Sequence, residues 1–318
     1  MAPPESRIPV CNMDTPWGQL PVSDAHVHFF SRNFFQLLAH QRNISVDALQ
    51  STLNWNIPGD APTQLALEWT VELDRHDVDR AAIIASVPGD HESVIAAATS
   101  FPNRFYSYAM VNPVDEEGSK SLAAALETRH LNALCFFPAM HRYGMHDPRV
   151  SALLDLASTA GAAAFVHCGV LSVGVRKKLG LPSLFDMRYS NPIDLHAVAM
   201  RYPQVRFIVP HFGAGYFREA LMLCDLCPNV YLDTSSSNSW MIYEHLDLRA
   251  VFRRTIDVIG PTRLLFGSDS SFFPRGWHAA IFEAQSKALY EIGIDEAAAR
   301  LIFHDNLHQI FLREQSTR

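Results

Sequence analysis

The chain has 318 residues, 48% of them hydrophobic and 19% charged, which is the composition of a globular protein able to bury a large core. A formal net charge of −7 and a densest basic run of only Arg176, Lys177 and Lys178 argue against a broad nucleic-acid interface. Five irregularly spaced cysteines, no apolar signal core and no apolar run of about 18 residues argue against a disulfide framework, a secretory leader and a membrane span. We therefore expect a cytoplasmic protein that contacts neither nucleic acid nor membrane.

Short apolar runs alternate with helix-like segments along the chain. Most of the runs show no regular alternation of apolar and polar residues, as is typical of parallel strands covered on both faces. The predicted strands are 22–29, 81–87, 105–111, 131–137, 162–167, 205–211, 230–235 and 263–269. The helix-like segments are 119–127, 149–160, 192–202, 215–226 and 277–292. This order predicts an α/β fold, a (β/α)8 TIM barrel in one domain over residues 1–318, with its barrel core at about 20–312.

Two segments are longer than a simple connection between a strand and a helix. Residues 30–80 separate the first two predicted strands, and residues 171–191 follow the fifth. In a barrel both insertions begin at the carboxyl ends of the strands, where barrel active sites are built. We therefore expect them to form walls or lids of a pocket. Surface insertions without a role are the alternative.

The first predicted strand ends in Asp24-Ala25-His26-Val27-His28. Residues two apart on a strand point to the same side, so His26 and His28 face one point, as two imidazoles that share a metal ion must. Their place at the carboxyl end of the strand puts them at the mouth of a barrel. Taken alone, this motif fits metal binding and a chance pair of histidines equally well.

Three more polar residues end predicted strands five, six and eight: His167, His211 and Asp269. Each alone also fits a hydrogen-bonded residue at a strand end, or a helix cap in the case of Asp269. Together with the histidine pair they form a set of nitrogen and carboxylate ligands from separate strand ends. Such a set is typical of a catalytic zinc or a similar divalent ion.

Four motifs resemble those of a known family. DAHVHFF, AFVHCG, IVPHFG and LLFGSD are similar to the strand-1, -5, -6 and -8 motifs of the amidohydrolase superfamily, and they occur in the right order. The nearest branch is the amidohydrolase-related (amidohydrolase 2) group, which includes aminocarboxymuconate-semialdehyde decarboxylase and related decarboxylases. The run 300–311 resembles the closing helix of that branch in part, with Asp305-Asn306-Leu307 where Gly-Asn-Ala is usual. The resemblance spans residues 20 to 312.

The resemblance implies a metal-dependent enzyme whose ligands are His26, His28, His167 and Asp269. It implies one divalent ion, zinc with manganese as the alternative. Binuclear members carry a carbamylated lysine at the end of strand four, and this chain has Phe136-Phe137-Pro138 there. A homodimer is implied as well.

The catalytic candidates are His211 and Asp269. His211 matches the strand-six histidine, which in this branch acts as an acid/base or water-orienting group, and ligation by His211 stays open. Asp269 is placed both to contact the metal and to accept a proton from water.

Residues near the strand ends suggest what the pocket binds. Arginine suits bidentate capture of a carboxylate, which favours Arg176, Arg188 and Arg275 as substrate-binding residues. Phe137 and Trp240 are candidates for an apolar wall around a ring-shaped substrate. A solvated charge or a core aromatic is the alternative for each of them.

The predicted metal site fits two reactions on a small, carboxylate-bearing molecule. The first is hydrolysis of an amide, lactone or ester by an activated water. The second is non-oxidative decarboxylation of an aromatic or unsaturated acid, in which a proton replaces carbon dioxide. The site alone does not separate them. A barrel that binds without catalysing is the third hypothesis, which the complete polar set disfavours.

Overall fold

The computed structural model describes residues 11–128, 130–235 and 238–311, without the side chains of 116–120, 238 and 239. The strands in these ranges are β1 (Met13–Thr15), β2 (Gly18–Leu20), β3 (Ser23–Phe29), β4 (Arg80–Ala85), β5 (Phe105–Val111), β6 (Ala133–Phe136), β7 (Ala163–Val166), β8 (Phe207–Val209), β9 (Val230–Asp233) and β10 (Leu264–Leu265). The α-helices are α1 (Arg32–Arg42), α2 (Val46–Leu53), α3 (Pro62–Arg75), α4 (His91–Ser100), α5 (Glu116–Glu127), α6 (Pro138–His141), α7 (Pro148–Ala160), α8 (Gly174–Lys178), α9 (His196–Arg201), α10 (Phe217–Leu226), α11 (Leu248–Ile259), α12 (Ala279–Glu291), α13 (Glu296–Arg300) and α14 (Asn306–Phe311).

Strands β3 to β10 form one parallel sheet, in which each strand pairs with the next in chain order. The sheet closes on itself where the chain after β10 runs beside β3. Ala25 N donates to Phe266 O at 2.8 Å, Asp269 N to His26 O at 3.0 Å and His28 N to Ser270 O at 2.7 Å. With helices between the strands, this confirms the predicted (β/α)8 barrel. The short β1–β2 hairpin precedes it.

Alternate side chains of the barrel strands face two separate cores. In β4, Ile84 packs inside the barrel, whereas Ile83 packs outward against the helices. Both faces are therefore apolar, which explains the absence of a polar alternation in the sequence. Leu307 and Ile310 of α14 join the inner core and cover the amino ends of the strands.

The ends of the helices have local causes in the sequence. For α7, the Asp147 side chain accepts a hydrogen bond from Arg149 N, Pro148 occupies the first turn, and Gly161 ends the helix at φ 69°. The predicted helix 192–202 is divided into a 3-10 turn, Pro192–Leu195, and α9. Within the described ranges, no helix is long and apolar enough to cross a membrane.

The two long segments of the sequence analysis have helical structure of their own. Between β3 and β4 the chain forms α1, α2 and α3, and after β7 it forms α8 and a 3-10 turn at Met187–Tyr189. An aromatic and aliphatic cluster joins them, since Val175 and Leu179 of the second segment pack with Phe34, Phe35 and Trp55 of the first. This cluster stands at the carboxyl ends of the barrel strands.

Candidate active site at the carboxyl ends of the strands

His26 and His28 lie near the end of β3 and face the same space. Their ring centroids are 5.1 Å apart. His26 is almost fully buried, and both line the cavity described below. The pairing of β3 with β4 shifts register between Asp24 and Val27, so the strand is irregular where it presents His26.

Asp269 completes a group of three. Its Oδ1 lies 3.3 Å from His28 Nε2 and 3.8 Å from His26 Nε2. Within the described part of the chain, His26, His28 and Asp269 form a group whose ligand atoms all lie within 4.8 Å of one another. Asp269 has φ 59°, a conformation that costs a non-glycine residue about 1–3 kcal/mol and often marks a functional site. The hydrogen bond from its backbone amide to His26 O helps to hold that conformation.

The Nδ1 atom of each of the two imidazoles already has a hydrogen-bond partner. His26 Nδ1 lies 2.7 Å from Asp233 Oδ2, and His28 Nδ1 lies 2.8 Å from Ser86 Oγ. The Ser86 hydroxyl donates to Ile84 O, so its oxygen accepts from His28. Both Nδ1 atoms therefore carry the proton, and in the neutral rings both Nε2 lone pairs point towards the Asp269 carboxylate.

This arrangement of two lone pairs and a carboxylate shows whether the site suits a metal ion. Lone pairs facing a carboxylate repel one another unless a proton or a cation lies between them. His26 Nε2 is buried and has no hydrogen-bond partner. Two imidazoles and one carboxylate are ligands that zinc and related divalent ions accept. The residues of this group therefore fit a divalent metal ion.

The charges of the group are strongly coupled. Burial opposes ionisation of Asp269, but its contacts with His28 and His26 hold its pKa well below the usual range. Burial likewise disfavours the imidazolium of His26, but the carboxylate of Asp233 raises its pKa. Burial lowers the pKa of His28. Asp269 therefore remains a carboxylate, available to hold a cation.

His211 lies next to this group, with its ring centroid 5.0 Å from that of His26. Its Nδ1 donates to Ser235 O at 2.9 Å, so its Nε2 is free of that bond, and the residue lines the cavity. Burial and the nearby His26 lower the pKa of His211. Like Asp269, it has a positive φ, 56°. A neutral His211 with a free Nε2 is equipped to accept a proton.

His167 follows β7 and lies beside His211, with ring centroids 5.3 Å apart. It is not one of the three residues grouped above, and its buried Nδ1 has no hydrogen-bond partner. Burial holds the pKa of His167 well below its usual range, which keeps the ring neutral. Gly169 allows the segment after β7 to lie close to the segment after β8, because a Cβ at that position would lie 2.2 Å from Gly213 O. Its metal ligation stays a prediction.

These residues form the floor of a cavity of about 800 Å³, within the range typical of small-molecule sites. Its wall is rich in aromatic rings from both long segments and from the chain after β10. Trp55 stacks on Phe272 at 3.8 Å and Phe30 on Phe34 at 3.9 Å between ring centroids. Phe137 stacks on His167 at 5.4 Å. Phe137 therefore lines the cavity, and its contact with a substrate stays a prediction.

Three cations line the cavity: Arg176, Lys178 and Arg275. The Arg275 guanidinium lies over the Phe272 ring, and its Nη2 donates to Asp269 O at 3.1 Å. Arg176 donates to Gln41 Oε1 and Pro182 O, which leaves it partly engaged. Lys178 Nζ lies 5.3 Å from the centroid of Trp55.

Two predicted substrate-binding residues lie elsewhere. Arg188 is on the outer surface, 83% exposed, and its side chain pairs with Asp186 instead of facing the cavity. Trp240 is 2% exposed and packs in the core against Phe212 and Phe217. Their assignment to the pocket was wrong, because the chain carries each of them away from the strand ends.

Sequence reasoning missed the residues that orient the histidines. Asp233 ends the apolar strand β9 and is fully buried, where a lone carboxylate needs a partner. An acidic residue at the end of an apolar strand was the signal in the sequence that could have identified Asp233. Ser86 directly follows β4, and nothing in the sequence distinguishes it from other serines.

The barrel and the histidine–carboxylate cluster at its carboxyl ends define a class of protein, the barrel enzymes with a metal-type site. A family model described as Amidohydrolase matches residues 23–311. The chain belongs to the amidohydrolase family, and it is an enzyme of that family. The resemblance of the strand-end motifs is thereby confirmed.

A curated relative matches part of the chain. Protein fluG of Emericella nidulans is 30% identical over 139 residues, which is 40% of this chain. The matched stretch is only 16% of that protein, so the chain spans a small part of the relative's length.

Solved structures match nearly all of the chain. They include 5-carboxyvanillate decarboxylase from Sphingomonas paucimobilis (16% identity, TM-score 0.61), covering 92% of this chain and 99% of that one. A probable 2-pyrone-4,6-dicarboxylic acid hydrolase from Acinetobacter baumannii (14%, TM-score 0.59) has the same coverage. So does an amidohydrolase from Burkholderia multivorans with bound zinc (12%, TM-score 0.62). At these identities the likeness establishes the shared fold.

Proposed function

We propose that the protein is a metal-dependent hydrolase that acts on a small, carboxylate-bearing substrate. One observation carries the proposal: His26 Nε2, His28 Nε2 and Asp269 Oδ1 converge on the floor of an 800 Å³ cavity, beside His211. The polar groups needed for hydrolysis are therefore concentrated at one point, and the remaining wall is suited to holding an organic molecule.

The proposed metal ligands are His26, His28, His167 and Asp269, and the proposed metal is one zinc ion, with manganese as the alternative. Zinc is supported by the donor set and by the bound zinc of the similar Burkholderia multivorans amidohydrolase. A divalent ion in such a site lowers the pKa of a water to about 7 and polarises a carbonyl or carboxylate oxygen.

The chain's own residues then handle the protons. Asp269 is ionised, and the carboxylate oxygen that does not face the histidines is available to accept a proton from the attacking water. His211 holds its Nδ1 proton against Ser235 O, so its Nε2 is free to take over the proton that Asp269 accepts and deliver it to the leaving group.

The wall also supports an acidic substrate. Lys178 and Arg275 stand over the stacked Trp55–Phe272 pair, so a flat molecule beside those rings has positive charge at its edge. A carboxylate there gains charge-assisted hydrogen bonds, and a ring or a conjugated chain gains stacking.

Non-oxidative decarboxylation of an aromatic or unsaturated acid is the second candidate. The stacked rings favour it, because a planar aromatic acid fits such a wall. Two solved structures with the same fold have names that span both reactions, a decarboxylase and a probable hydrolase. A homodimer and a cytoplasmic location stay predictions from the sequence.

The test is a substrate screen on zinc-reconstituted protein. Carboxylate-bearing lactones, esters and amides are assayed for acid release, and aromatic and unsaturated acids for carbon dioxide, with His26→Ala and Asp269→Ala in parallel. Hydrolysis lost in both variants supports the proposal, and carbon dioxide release assigns the second candidate. Normal turnover by either folded variant refutes the site. Full metal content without turnover across the panel favours a binding role.

A further inference from the structure

A second cluster of metal-type ligands lies at the opposite end of the barrel. Asp79 directly precedes β4, and His304 and His308 lie near the C-terminal end of the described chain, in the π-helical turn Leu301–Asp305 and in α14. Because all barrel strands run in one direction, the start of β4 is at the end away from His26. Within the described ranges, these three are the other group whose ligand atoms lie within 4.8 Å of one another.

The spacing of these atoms is too long for hydrogen bonds and close to that around an ion. Asp79 Oδ2 lies 3.7 Å from His304 Nε2 and 3.8 Å from His308 Nε2. Ligands about 2.0 Å from a tetrahedral zinc lie about 3.3 Å from one another, so a shift of about half an ångström suffices. The two imidazoles are four residues apart on adjoining helical turns, with ring centroids at 4.2 Å.

Each histidine is oriented through its other nitrogen, as metal-binding histidines usually are. His304 Nδ1 lies 2.7 Å from Asp305 Oδ1, and His308 Nδ1 lies 2.9 Å from Tyr106 Oη. Both Nε2 atoms are thus turned towards Asp79. His308 Nε2 also lies 3.1 Å from Ser23 Oγ, a hydroxyl that has to rotate away when the nitrogen binds an ion.

The charged groups around this second cluster are compatible with a bound cation. Asp79 and Asp305 supply two carboxylates, against the guanidinium groups of Arg80, which lies over the Tyr106 ring, and Arg300, which pairs with Asp305. Although burial opposes ionisation of Asp79, its contact with His304 lowers its pKa. Burial lowers the pKa of His308 to about 4, which leaves that ring neutral, the form that binds metals.

We propose that Asp79, His304 and His308 form a second divalent-metal site, of the zinc class, at the amino end of the barrel. Its ligands join the segment before β4 to the C-terminal helical turns, whose residues Leu307 and Ile310 cover the inner core. The role is structural, since three protein ligands here attach two distant parts of the chain to each other. The site is separate from the cavity, so it does not depend on the proposed function.

Metal counting separates the two sites. Chelator-stripped protein is loaded with zinc, desalted and measured by mass spectrometry, for wild type, His26→Ala, His308→Gln and the double variant. We expect two, one, one and no zinc ions per chain. A zinc count in His308→Gln equal to that of wild type overturns the second site. Failure of the first site instead appears as an unchanged count in His26→Ala, so the two failures are distinguishable.

A melting-temperature measurement tests the second site without requiring that the His308 variant folds. Zinc added to metal-free His26→Ala protein is expected to raise its melting temperature by about 5 °C at saturating concentration, because only the folded state offers the site. Tyr106→Phe, which keeps the ring but removes the hydroxyl that orients His308, is expected to need about 10-fold more zinc for the same shift. An unchanged melting temperature in the His26→Ala protein overturns the proposal.

Discussion

The Nδ1 atom of His26 lies 2.7 Å from Oδ2 of Asp233, and both side chains are almost fully removed from solvent. The contact fixes the imidazole so that Nε2 faces His28 and Asp269. Gly267 provides the room, since a Cβ at that position would lie 2.6 Å from Asp233 Oδ1 and 3.0 Å from the Cβ of His26. Three strand ends, those of β3, β9 and β10, thus determine the position of His26 Nε2.

Replacing Asp233 by asparagine is expected to weaken metal binding by about 10- to 100-fold, since the amide accepts the His26 proton less strongly and carries no charge. The measurement is zinc affinity by competition with a chromogenic chelator. The control is Asp225→Asn, at an exposed position of α10. An unchanged affinity in Asp233→Asn would show that the buried carboxylate does not orient the ligand.

Gly267→Ala tests the same contact by crowding. The added methyl has to displace Asp233 or Ser235, whose Cβ lies 2.8 Å from the ideal position, so we expect a loss of about 1–3 kcal/mol in stability together with weaker zinc binding. Urea unfolding and the chelator assay measure the two effects. Gly59→Ala is the control, because a Cβ there meets nothing within 4 Å. Equal behaviour of the two variants contradicts the argument.

The sequence predicts the barrel well because strand ends carry their own signals. Apolar runs that end at or next to His28, His167, His211 and Asp269 indicate both the strands and the end at which the polar residues gather. The order of parallel strands then requires those ends to meet. What the pattern lacks is the path of the long connections, so Arg188 and Trp240 could not be placed.

Residues that act through another side chain were also beyond the sequence. Ser86 and Asp233 matter because each meets the Nδ1 atom of a histidine far away in the chain. That pairing exists only after β4 and β9 are set against β3 by the closed barrel. Lys178 likewise becomes a cavity residue only because α8 folds back over Trp55.

His211→Asn decides whether His211 moves protons or binds the metal. We expect kcat to fall by about 10²- to 10⁴-fold with zinc content unchanged, as for the loss of a general acid or base. His245→Asn is a matched control, since His245 is exposed and also has a positive φ, 51°, which asparagine tolerates. Loss of zinc in His211→Asn would make His211 a ligand instead.

Lys178→Met tests recognition of a carboxylate. Methionine keeps much of the side-chain length but removes the cation above Trp55 and Phe272, so we expect KM for an acidic substrate to rise about 10-fold with kcat little changed. Lys177→Met, at the neighbouring exposed position outside the cavity, is the control. An equal KM in both variants would remove Lys178 from the binding surface.

His141 gives the protein a defined sensitivity to acid. Burial lowers its pKa to about 4, and its Nδ1 has no hydrogen-bond partner. Between about pH 6.5 and about pH 4 the unfolded chain takes up a proton there and the folded protein does not, so stability falls as the pH falls through that window. His141→Gln removes this contribution. In urea unfolding of metal-free protein, the wild type is expected to lose about 1–3 kcal/mol relative to the variant between about pH 7.5 and about pH 4.5. Parallel pH profiles for the two proteins would show that His141 is protonated equally in the folded and unfolded states.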